Sequence, residues 1–279
     1  MPRVSDLETK YVMDVLQRGF SNSTYGGMIR DLEERFAEVF GLRYGVAQVN
    51  GTATLHSALA AADVEEGDEV IVPPLTMMST CMAVLQANAI PVFADVTPDT
   101  FTVDPRQIEA CLTDRTKAIL TVALFGLPPD MDPIMELAGK NDLCVIEDNA
   151  QCYLGSYKGR VAGSIGHMAS YSFQISKHLT CGEGGMLIPD DEALIERARR
   201  FGTLGYASVR ASSAQAKVTR ETIQDPGYER HVTKGWNYRM SELAAAVALA
   251  QTERMKELVD QRSRVAVLYA QACGGCSWL

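Results

Sequence analysis

A lysine followed by a glycine-rich turn is the feature of the sequence best suited to covalent chemistry. Lys177 comes shortly after the apolar run 169–173, and the glycine-rich segment 182–185 follows it. Ligand sites of α/β proteins lie beyond the carboxyl ends of their strands, where a lysine can lose its proton and form a Schiff base. A solvated lysine beside a tight loop is the alternative interpretation.

A second candidate is the pair of acids at the end of another apolar run, 143–147. Glu147 and Asp148 come at this end, and Gln151 follows closely. Asp148 could cap the next segment, or it could present its carboxylate to the ring nitrogen of a cofactor, where an anion holds a proton. In the second case Gln151 would lie close enough to donate a hydrogen bond to a ring oxygen.

The third candidate is a turn that leads from an apolar run into a helical pattern. Its residues, Asn50-Gly51-Thr52-Ala53-Thr54, would leave free N–H groups at the start of the helix. Such a helix start binds anions, and phosphate in particular. The turn alone is weak evidence, but a phosphate cradle, an acid for a ring nitrogen and a Schiff-base lysine are together what pyridoxal phosphate requires.

The elements that must position these residues alternate along the chain. Short runs rich in Val, Ile and Phe predict buried strands, and amphipathic stretches between them predict helices, which together indicate an α/β fold with a mainly parallel sheet. The predicted strands are 44–49, 69–72, 91–96, 118–125, 143–147, 169–173 and 185–188. The predicted helices are 28–39, 54–62, 79–88, 105–112, 132–140 and 192–201. Asp104 and Asp132, each followed by proline, predict helix caps.

Beyond residue 203 the pattern changes. The polar segment 207–224 predicts a long loop, and the segment 240–273, with its alanines and charges at helical spacing, predicts one long helix. We therefore expect residues 1–239 to form a large domain with an N-terminal helical segment. Residues 240–279 would be a bridging helix and the start of a second, truncated domain.

Composition narrows the possible partners and the compartment. Thirty-five acidic against 26 basic side chains, a net charge of −9, disfavour a nucleic-acid surface, which needs a basic stripe. No apolar run reaches the roughly 18–20 residues that span a bilayer. We therefore expect no membrane partner. Seven irregularly spaced cysteines favour reduced thiols and a cytoplasmic location. We expect no metal site, since Cys273 and Cys276 have no second cysteine pair nearby.

The order and spacing of these features resemble the fold-type-I pyridoxal-phosphate enzymes of the aspartate aminotransferase superfamily. More narrowly, they resemble the DegT/StrS family of sugar aminotransferases. The matching segments are 50–59, 73–84, 126–131, 147–151, 172–185 and 235–251, the last of which opens with the family hallmark Gly235-Trp236-Asn237-Tyr238-Arg239. The resemblance extends from about residue 10 to 270. It implies a large domain with a mainly parallel seven-stranded sheet and helices on both faces.

The resemblance also implies roles at the cofactor. Lys177 would form the Schiff base and shuttle the proton, Asp148 would pair with the ring nitrogen, and Gln151 would lie near the ring hydroxyl. Met77 stands where relatives often place a stacking aromatic ring, and a thioether can pack against a ring face.

For the phosphate, the resemblance implies Gly51, Thr52, Ala53 and Ser172 as ligands within one subunit. Asn237 would reach across to the phosphate of a partner subunit, so the site would require a homodimer.

The implied reaction moves an amino group from L-glutamate or L-glutamine to a nucleotide-linked keto-sugar or to a keto-cyclitol. A sugar dehydratase or lyase that uses pyridoxal phosphate, and a truncated non-catalytic regulator, remain alternatives. Some dehydratases of this family carry histidine in place of the lysine, so Lys177 favours transamination, while His178 could still line the pocket. Relatives usually continue for roughly another hundred residues into a small C-terminal domain, which we expect to be mostly missing here.

Overall fold

Helices and strands alternate along most of the chain, as the hydrophobic pattern predicts. The computed structural model describes residues 3–20, 27–212 and 218–274. In chain order its elements are α1 (Asp6–Arg18), α2 (Gly27–Val39), β1 (Val46–Gln48), α3 (Gly51–Ala61), β2 (Glu69–Val72), α4 (Ser79–Gln86), β3 (Ile90–Phe93), α5 (Pro105–Ala110), β4 (Thr116–Val122), α6 (Met131–Asn141), β5 (Cys144–Asp148), β6 (Ser156–Tyr157), β7 (Arg160–Val161), β8 (Met168–Ser172), β9 (Gly185–Pro189), α7 (Glu192–Phe201), α8 (Arg220–Gln224), α9 (Glu242–Glu253) and α10 (Met255–Cys273).

Seven of the strands form one sheet, in the order β1-β9-β8-β5-β4-β2-β3. The pairings from β3 through β2, β4 and β5 to β8 are parallel, whereas β9 runs antiparallel to both of its neighbours, β8 and β1. The prediction of a mainly parallel seven-stranded sheet is therefore confirmed. Because β1, β5 and β8 run in the same direction, their carboxyl ends meet at one edge of the sheet.

Helices cover both faces of the sheet, as predicted. Val70 and Val72 pack in the core beneath α3, α4 and α7, while Ile71 between them packs on the opposite side with α5 and α6. In β9, Leu187 faces the first layer and Met186 faces α2 and α9. Two covered faces explain why these strands are apolar at successive positions, without a polar alternation.

One of the two predicted helix caps is wrong. Asp104 caps α5 and accepts a hydrogen bond from the Arg106 N–H at 2.9 Å, as predicted. Helix α6 begins one residue before Asp132, and the Asp132 carboxylate binds Lys158 at 2.7 Å and also Arg160. These ion pairs reach the β6–β7 hairpin, which the sequence pattern did not predict, and they engage the carboxylate that would otherwise cap the helix.

The prediction of a long loop over 207–224 is wrong at its end. Residues 213–217 lie outside the described part of the chain, but Arg220–Gln224 form the short helix α8. The Thr219 hydroxyl caps it by accepting a hydrogen bond from the Thr222 N–H at 3.2 Å. The sequence pattern could not predict α8, since a polar helix of little more than one turn has no apolar periodicity to detect.

The prediction of one helix over 240–273 is also wrong. Arg254, with φ −100° and ψ 10°, separates α9 from α10. Its guanidinium binds Glu8 of α1 at 2.9 Å, a tertiary contact that helical spacing cannot reveal. Helix α9 buries Ala245 and Ala248 in the core that α2 shares, while most of α10 is exposed. The predicted domain boundary between residues 239 and 240 stays a prediction.

Among the helices that the structure describes, none combines the length and the apolar character needed to cross a membrane.

Candidate active site

The parallel strand ends bring most of the predicted site residues into one cavity. Asp148 is the last residue of β5, and Ser172 is the last residue of the neighbouring strand β8. The cavity has a volume of about 370 Å³, within the usual range of small-molecule sites. Its lining includes seven of the predicted residues, namely Gly51, Thr52, Met77, Asp148, Gln151, Ser172 and Lys177. We call it the strand-edge cavity.

Two predicted residues lie elsewhere. Ala53 is buried within α3, and its N–H donates to the Asn50 side chain at 2.8 Å as part of the helix cap. Asn237 is exposed and pairs with Thr203 in an isolated bridge. Gly51 and Thr52, the first two residues of α3, line the cavity, and the first N–H groups of a helix have no intrahelical partner.

Close packing explains why glycine stands at the start of α3 and of β9. A Cβ on Gly51 would lie 2.9 Å from the Ser172 Cβ, and a Cβ on Gly185 would lie 2.6 Å from the Asn50 carbonyl. The helix start is thus pressed against β8 and β9 with no room for a side chain between them. Gly51, Thr52 and Ser172 line the same cavity, and a hydroxyl next to the start of a helix suits a phosphate.

The two acids at the end of β5 point to opposite faces of the sheet. Glu147 accepts backbone hydrogen bonds from Gly163 at 2.8 Å, Ile165 at 2.9 Å and Gly166 at 2.6 Å, so it stabilises the turn before β8. Asp148, one residue later, faces the cavity because side chains alternate along a strand. The geometry thus separates a structural carboxylate from one that a ligand can reach.

The Asp148 carboxylate is buried, with 5% of the residue exposed. It accepts hydrogen bonds from the Thr80 hydroxyl at 3.0 Å and from the Ala150 N–H at 3.1 Å, so it also caps the following segment. Burial raises the pKa of Asp148, against the opposing effects of these bonds and of Lys177. A cationic group in the cavity would offset the cost of burying this charge.

Sequence reasoning missed Thr80, which holds Asp148 from α4. Thr80 is fully buried, and its hydroxyl also lies 2.8 Å from that of Thr76. The available signal was a pair of threonines four residues apart, one just before the predicted helix 79–88 and one within its first turn.

A strained backbone segment orients Gln151. The Phe125 N–H donates to the Gln151 Oε1 at 3.1 Å, which leaves the amide NH₂ as the donating end of that side chain. Phe125 has a φ of 54°, an uncommon value for an aromatic residue, and its side chain is 83% exposed. The predicted strand 118–125 consequently ends at Val122, before this turn.

Lys177 also lines a second cavity of about 800 Å³, on the side facing α10. Gln151 and Ser176 are shared with the strand-edge cavity, and Phe125 and His178 line the second cavity alone. His178 therefore lines the second cavity and not the strand-edge cavity, and its place in the active-site pocket stays a prediction. Burial, and next the charge of Arg262, lower its pKa to about 4, which keeps the ring neutral at neutral pH.

The segment that carries Asn237 is fixed to the start of α3. The Val49 N–H donates to the Tyr238 carbonyl at 2.9 Å, and the Tyr238 hydroxyl lies 2.9 Å from the His56 ring nitrogen Nδ1. The exposed Asn237 side chain is therefore presented by a well-anchored segment.

The described residues contain no cluster of three or more side chains suited to a metal ion. Cys276, half of the cysteine pair considered above, lies outside them.

The residues around the strand-edge cavity fit pyridoxal phosphate. The start of α3, where Gly51 leaves the backbone uncovered by a side chain, suits the phosphate. The buried carboxylate of Asp148 suits a ring nitrogen, and Lys177 supplies a primary amine at the same cavity. These three features lie on three separate strand ends and converge only in the folded sheet.

Comparisons with known proteins agree with this chemistry. The sequence matches the DegT/DnrJ/EryC1/StrS aminotransferase family over residues 2–277. GDP-perosamine synthase of Caulobacter vibrioides is 38% identical over 271 residues, which cover 97% of this chain and 68% of that protein. A putative L-glutamine:3-amino-2,3-dideoxy-scyllo-inosose aminotransferase of Micromonospora echinospora is 35% identical, over 88% of this chain and 55% of its own.

The fold agrees as well. The crystal structure of an aminotransferase from Psychrobacter cryohalolentis superposes with a TM-score of 0.87 at 39% identity, covering 98% of this chain and 68% of that one. The chain therefore spans about two thirds of the length of this relative and of the Caulobacter enzyme. It belongs to the DegT/DnrJ/EryC1/StrS aminotransferase family and is an aminotransferase of fold type I whose cofactor is pyridoxal phosphate.

Proposed function

We propose that this enzyme transfers an amino group from L-glutamate or L-glutamine to the ketone of a nucleotide-linked keto-sugar. The observation that carries the proposal is that Lys177 and Asp148 face one cavity at the strand ends, beside the start of α3. The relative from Caulobacter is named for a nucleotide-linked amino sugar. A keto-cyclitol is the second candidate acceptor, which the name of the Micromonospora relative supports.

In this proposal the strand-edge cavity holds the cofactor. Gly51, Thr52 and Ser172 bind the phosphate, and Met77, 62% exposed at the rim, packs on the ring. Gln151 donates its NH₂ group to the ring oxygen, an orientation that its bond from Phe125 supports. When bound, pyridoxal phosphate supplies an electron sink for the charge that develops on the donor carbon.

Lys177 and Asp148 divide the proton chemistry. The Lys177 Nζ removes the proton from the α-carbon of the amino donor and delivers it to the C4′ carbon of the cofactor. The Asp148 carboxylate keeps the ring nitrogen protonated, and that cationic partner offsets the burial that raises the pKa of Asp148 in its absence. Thr80 holds the carboxylate in place.

The substrates would enter through the second cavity. It meets the strand-edge cavity at Gln151, Ser176 and Lys177, so a substrate bound there lies next to Lys177. Its volume of about 800 Å³ suits a large ligand such as a sugar nucleotide.

We further propose a homodimer in which Asn237 reaches the phosphate of the partner subunit. The exposure of Asn237 on an anchored segment supports this. Mixing Lys177→Ala and Asn237→Ala subunits tests it, because a mixed dimer would hold one intact site. We expect about a quarter of the wild-type activity from the mixture, since half of the dimers are mixed. No recovery would contradict a shared site.

A cytoplasmic location is part of the proposal. The six cysteines that the structure describes are free thiols, which supports a reducing compartment.

Labelled donors test the reaction directly. The enzyme is incubated with a nucleotide-linked keto-sugar or a keto-cyclitol and with α-¹⁵N-labelled L-glutamate or L-glutamine, and the products are analysed by mass spectrometry. We expect the label in an amino sugar, and the keto-cyclitol reaction to be slower. A product that has lost water from the sugar without gaining the label would indicate the dehydratase alternative and contradict the proposal.

A further inference from the structure

Two arginines hold the main chain of the segment that carries Lys177. We call residues 174–180, which follow β8, the lysine loop. The Arg262 Nη2 of α10 donates to the carbonyl of Ser176 at 3.0 Å and to that of Lys177 at 2.7 Å. The two terminal nitrogens of Arg3 donate to the carbonyls of Ile175 and Lys177. Three successive carbonyls are thus bound by the arginine clamp, formed by Arg3 and Arg262.

The N–H groups of Ser176 and Lys177 are satisfied from within the lysine loop. The Lys177 N–H donates to the Gln174 carbonyl at 2.9 Å, and the Ser176 N–H donates to the Gln174 side chain at 2.7 Å. These local bonds shape the turn, but they do not tie it to the rest of the fold. The arginine clamp supplies such a tie on the carbonyl side.

A buried glutamine anchors the Arg3 end of the clamp. Gln251 of α9 is fully buried, and its Nε2 donates to the Arg3 carbonyl at 2.8 Å. Its Oε1 accepts from the Thr180 N–H at 3.3 Å, so the same side chain touches the lysine loop. Glu8 bonds to Gln251 and to Arg254, the residue that separates α9 from α10. The segment from Arg3 to Glu8 is thereby held against the lysine loop.

The two guanidinium groups lie close together despite their like charges. Burial, and next the charge of Arg262, lower the pKa of Arg3. Such a pair is repulsive unless anionic or dipolar acceptors compensate, and here the compensating acceptors are the loop carbonyls. The charges are therefore directed at the one segment whose placement sets the position of the Lys177 amine.

We propose that Arg3 and Arg262 are positioning residues that set the place of Lys177 relative to the strand-edge cavity. The inference rests on the proposed role of Lys177 as the proton-transferring amine. A misplacement of about 1 Å in such a group can cost on the order of 100-fold in rate. Both arginines also line the second cavity. Their hydrogen bonds, however, go to the loop carbonyls, so the clamp acts on turnover through the position of the loop.

The test compares Arg3→Ala, Arg262→Ala and Arg262→Lys with the control Arg264→Ala. Arg264 lies on the same helix and lines a separate surface with Asp260 and Gln271. Hydrogen–deuterium exchange of residues 174–180 is measured on the cofactor-free proteins, and kcat and KM on the loaded ones. The absorbance of the lysine-bound cofactor is recorded for each protein.

We expect each alanine variant to raise exchange in the lysine loop by about tenfold, because each removes two charge-assisted hydrogen bonds. Its kcat should fall by about 10–100-fold, a larger factor than any rise in KM that follows from the place of both arginines in the second cavity. Arg262→Lys should recover part of both losses, since an ammonium keeps the charge and can donate to the loop carbonyls but lacks the rigid planar geometry of the guanidinium. Arg264→Ala should match the wild type.

Unchanged loop exchange in both alanine variants would overturn the proposal, as would raised exchange with unchanged kcat. A failure of the proposed role of Lys177 has a different signature, because the wild-type protein would then bind cofactor without the absorbance of a lysine-bound form. The exchange data need no cofactor, so they report on the clamp separately from that outcome.

Discussion

Two buried carboxylates show how the strand-edge cavity differs from the region around the arginine clamp. Asp148 is 5% exposed, and burial raises its pKa despite bonds from Thr80 and Ala150. Glu8 is 1% exposed, and although burial acts to raise the pKa of Glu8, hydrogen bonds from Ser5 and Gln251 lower it. A cationic ligand in the cavity can supply a partner for the Asp148 carboxylate. The Glu8 carboxylate, in contrast, already has its partners within the protein.

The groups proposed to do chemistry and the groups proposed to position them are built differently in the two regions. In the strand-edge cavity, the groups lie at strand ends, at the start of α3 and in the loop after β8, and they line open space. Around the clamp, polar groups from α1, α9 and α10 satisfy one another and face the lysine loop. Substitutions in the cavity should therefore cost activity first, and those around the clamp should act through the loop.

The largest effect is expected from Lys177→Ala. Loss of the amine removes both the covalent attachment and the proton transfer, so the rate of amino transfer should fall by more than about 10⁴-fold. Single-turnover kinetics measure it, with Lys256→Ala, an exposed lysine on α10, as the control. A rate of amino transfer within tenfold of the wild type would show that Lys177 takes no part in the chemistry. The proposed difference between the two regions would then be wrong.

Asp148→Asn should separate activity from stability. The rate should fall by about 10²–10⁴-fold, because a neutral amide no longer holds the ring nitrogen in its protonated form. The neighbouring Glu147→Gln is the matched control. It loses a carboxylate that binds three backbone N–H groups, so it should cost about 1.5–3 kcal/mol of unfolding free energy while sparing the chemistry.

The stability of cofactor-free Asp148→Asn should depend on pH in a defined direction. The folded pKa of Asp148 lies above the unfolded value of 3.8. Ionisation of Asp148 therefore lowers the stability of the wild type as the pH rises from 3.8 through the folded pKa. The variant has no such cost, so its melting temperature should exceed that of the wild type at pH 7 and match it below pH 3.8. A variant less stable at pH 7 would mean that Asp148 is a structural carboxylate like Glu8.

Gly185→Ala tests the packed helix start. The added Cβ would lie 2.6 Å from the Asn50 carbonyl, so the variant should lose about 1–3 kcal/mol of unfolding free energy and bind the cofactor more weakly. Gly139→Ala in α6 is the control, where a Cβ meets nothing within 4 Å and alanine should stabilise the helix by about 0.5–1 kcal/mol. Equal cofactor affinity in both would contradict the phosphate cradle.

The smallest effect concerns Glu8 and acid. Its folded pKa lies below the unfolded value of 4.5, so its stabilising contribution is present above pH 4.5 and is lost as the pH falls through the folded value. Exchange of the lysine loop should therefore rise below pH 4.5, beyond its intrinsic pH dependence. Glu8→Gln should already show higher exchange at pH 7 and a weaker response to acid. An identical response in both would disconnect Glu8 from the loop.

Sequence reasoning predicts the strand-edge cavity well for a physical reason. Strand β2 and helix α7 match their predicted bounds residue for residue, because buried parallel strands and amphipathic helices carry strong periodic signals. Asp148 and Ser172 end two such strands, so their convergence follows from the topology.

The arginine clamp has no such signal. Arg3 and Arg262 come from distant parts of the chain, and their partners are backbone carbonyls, which no sequence pattern marks. The break at Arg254 depends on a contact with Glu8 in α1. Phe125 escaped prediction because a strand-like residue type occupies a left-handed turn. These features depend on tertiary contacts that local propensity does not encode.

The half-reaction tests the central claim most directly. Absorbance spectra of the cofactor-loaded wild type and of Lys177→Ala are recorded before and after addition of L-glutamate or L-glutamine. We expect the wild type to lose the absorbance of the lysine-bound cofactor and gain that of its aminated form, and the variant to show neither change. A wild-type protein that binds the cofactor but responds to neither donor would contradict the assignment of this cavity to amino transfer from those donors.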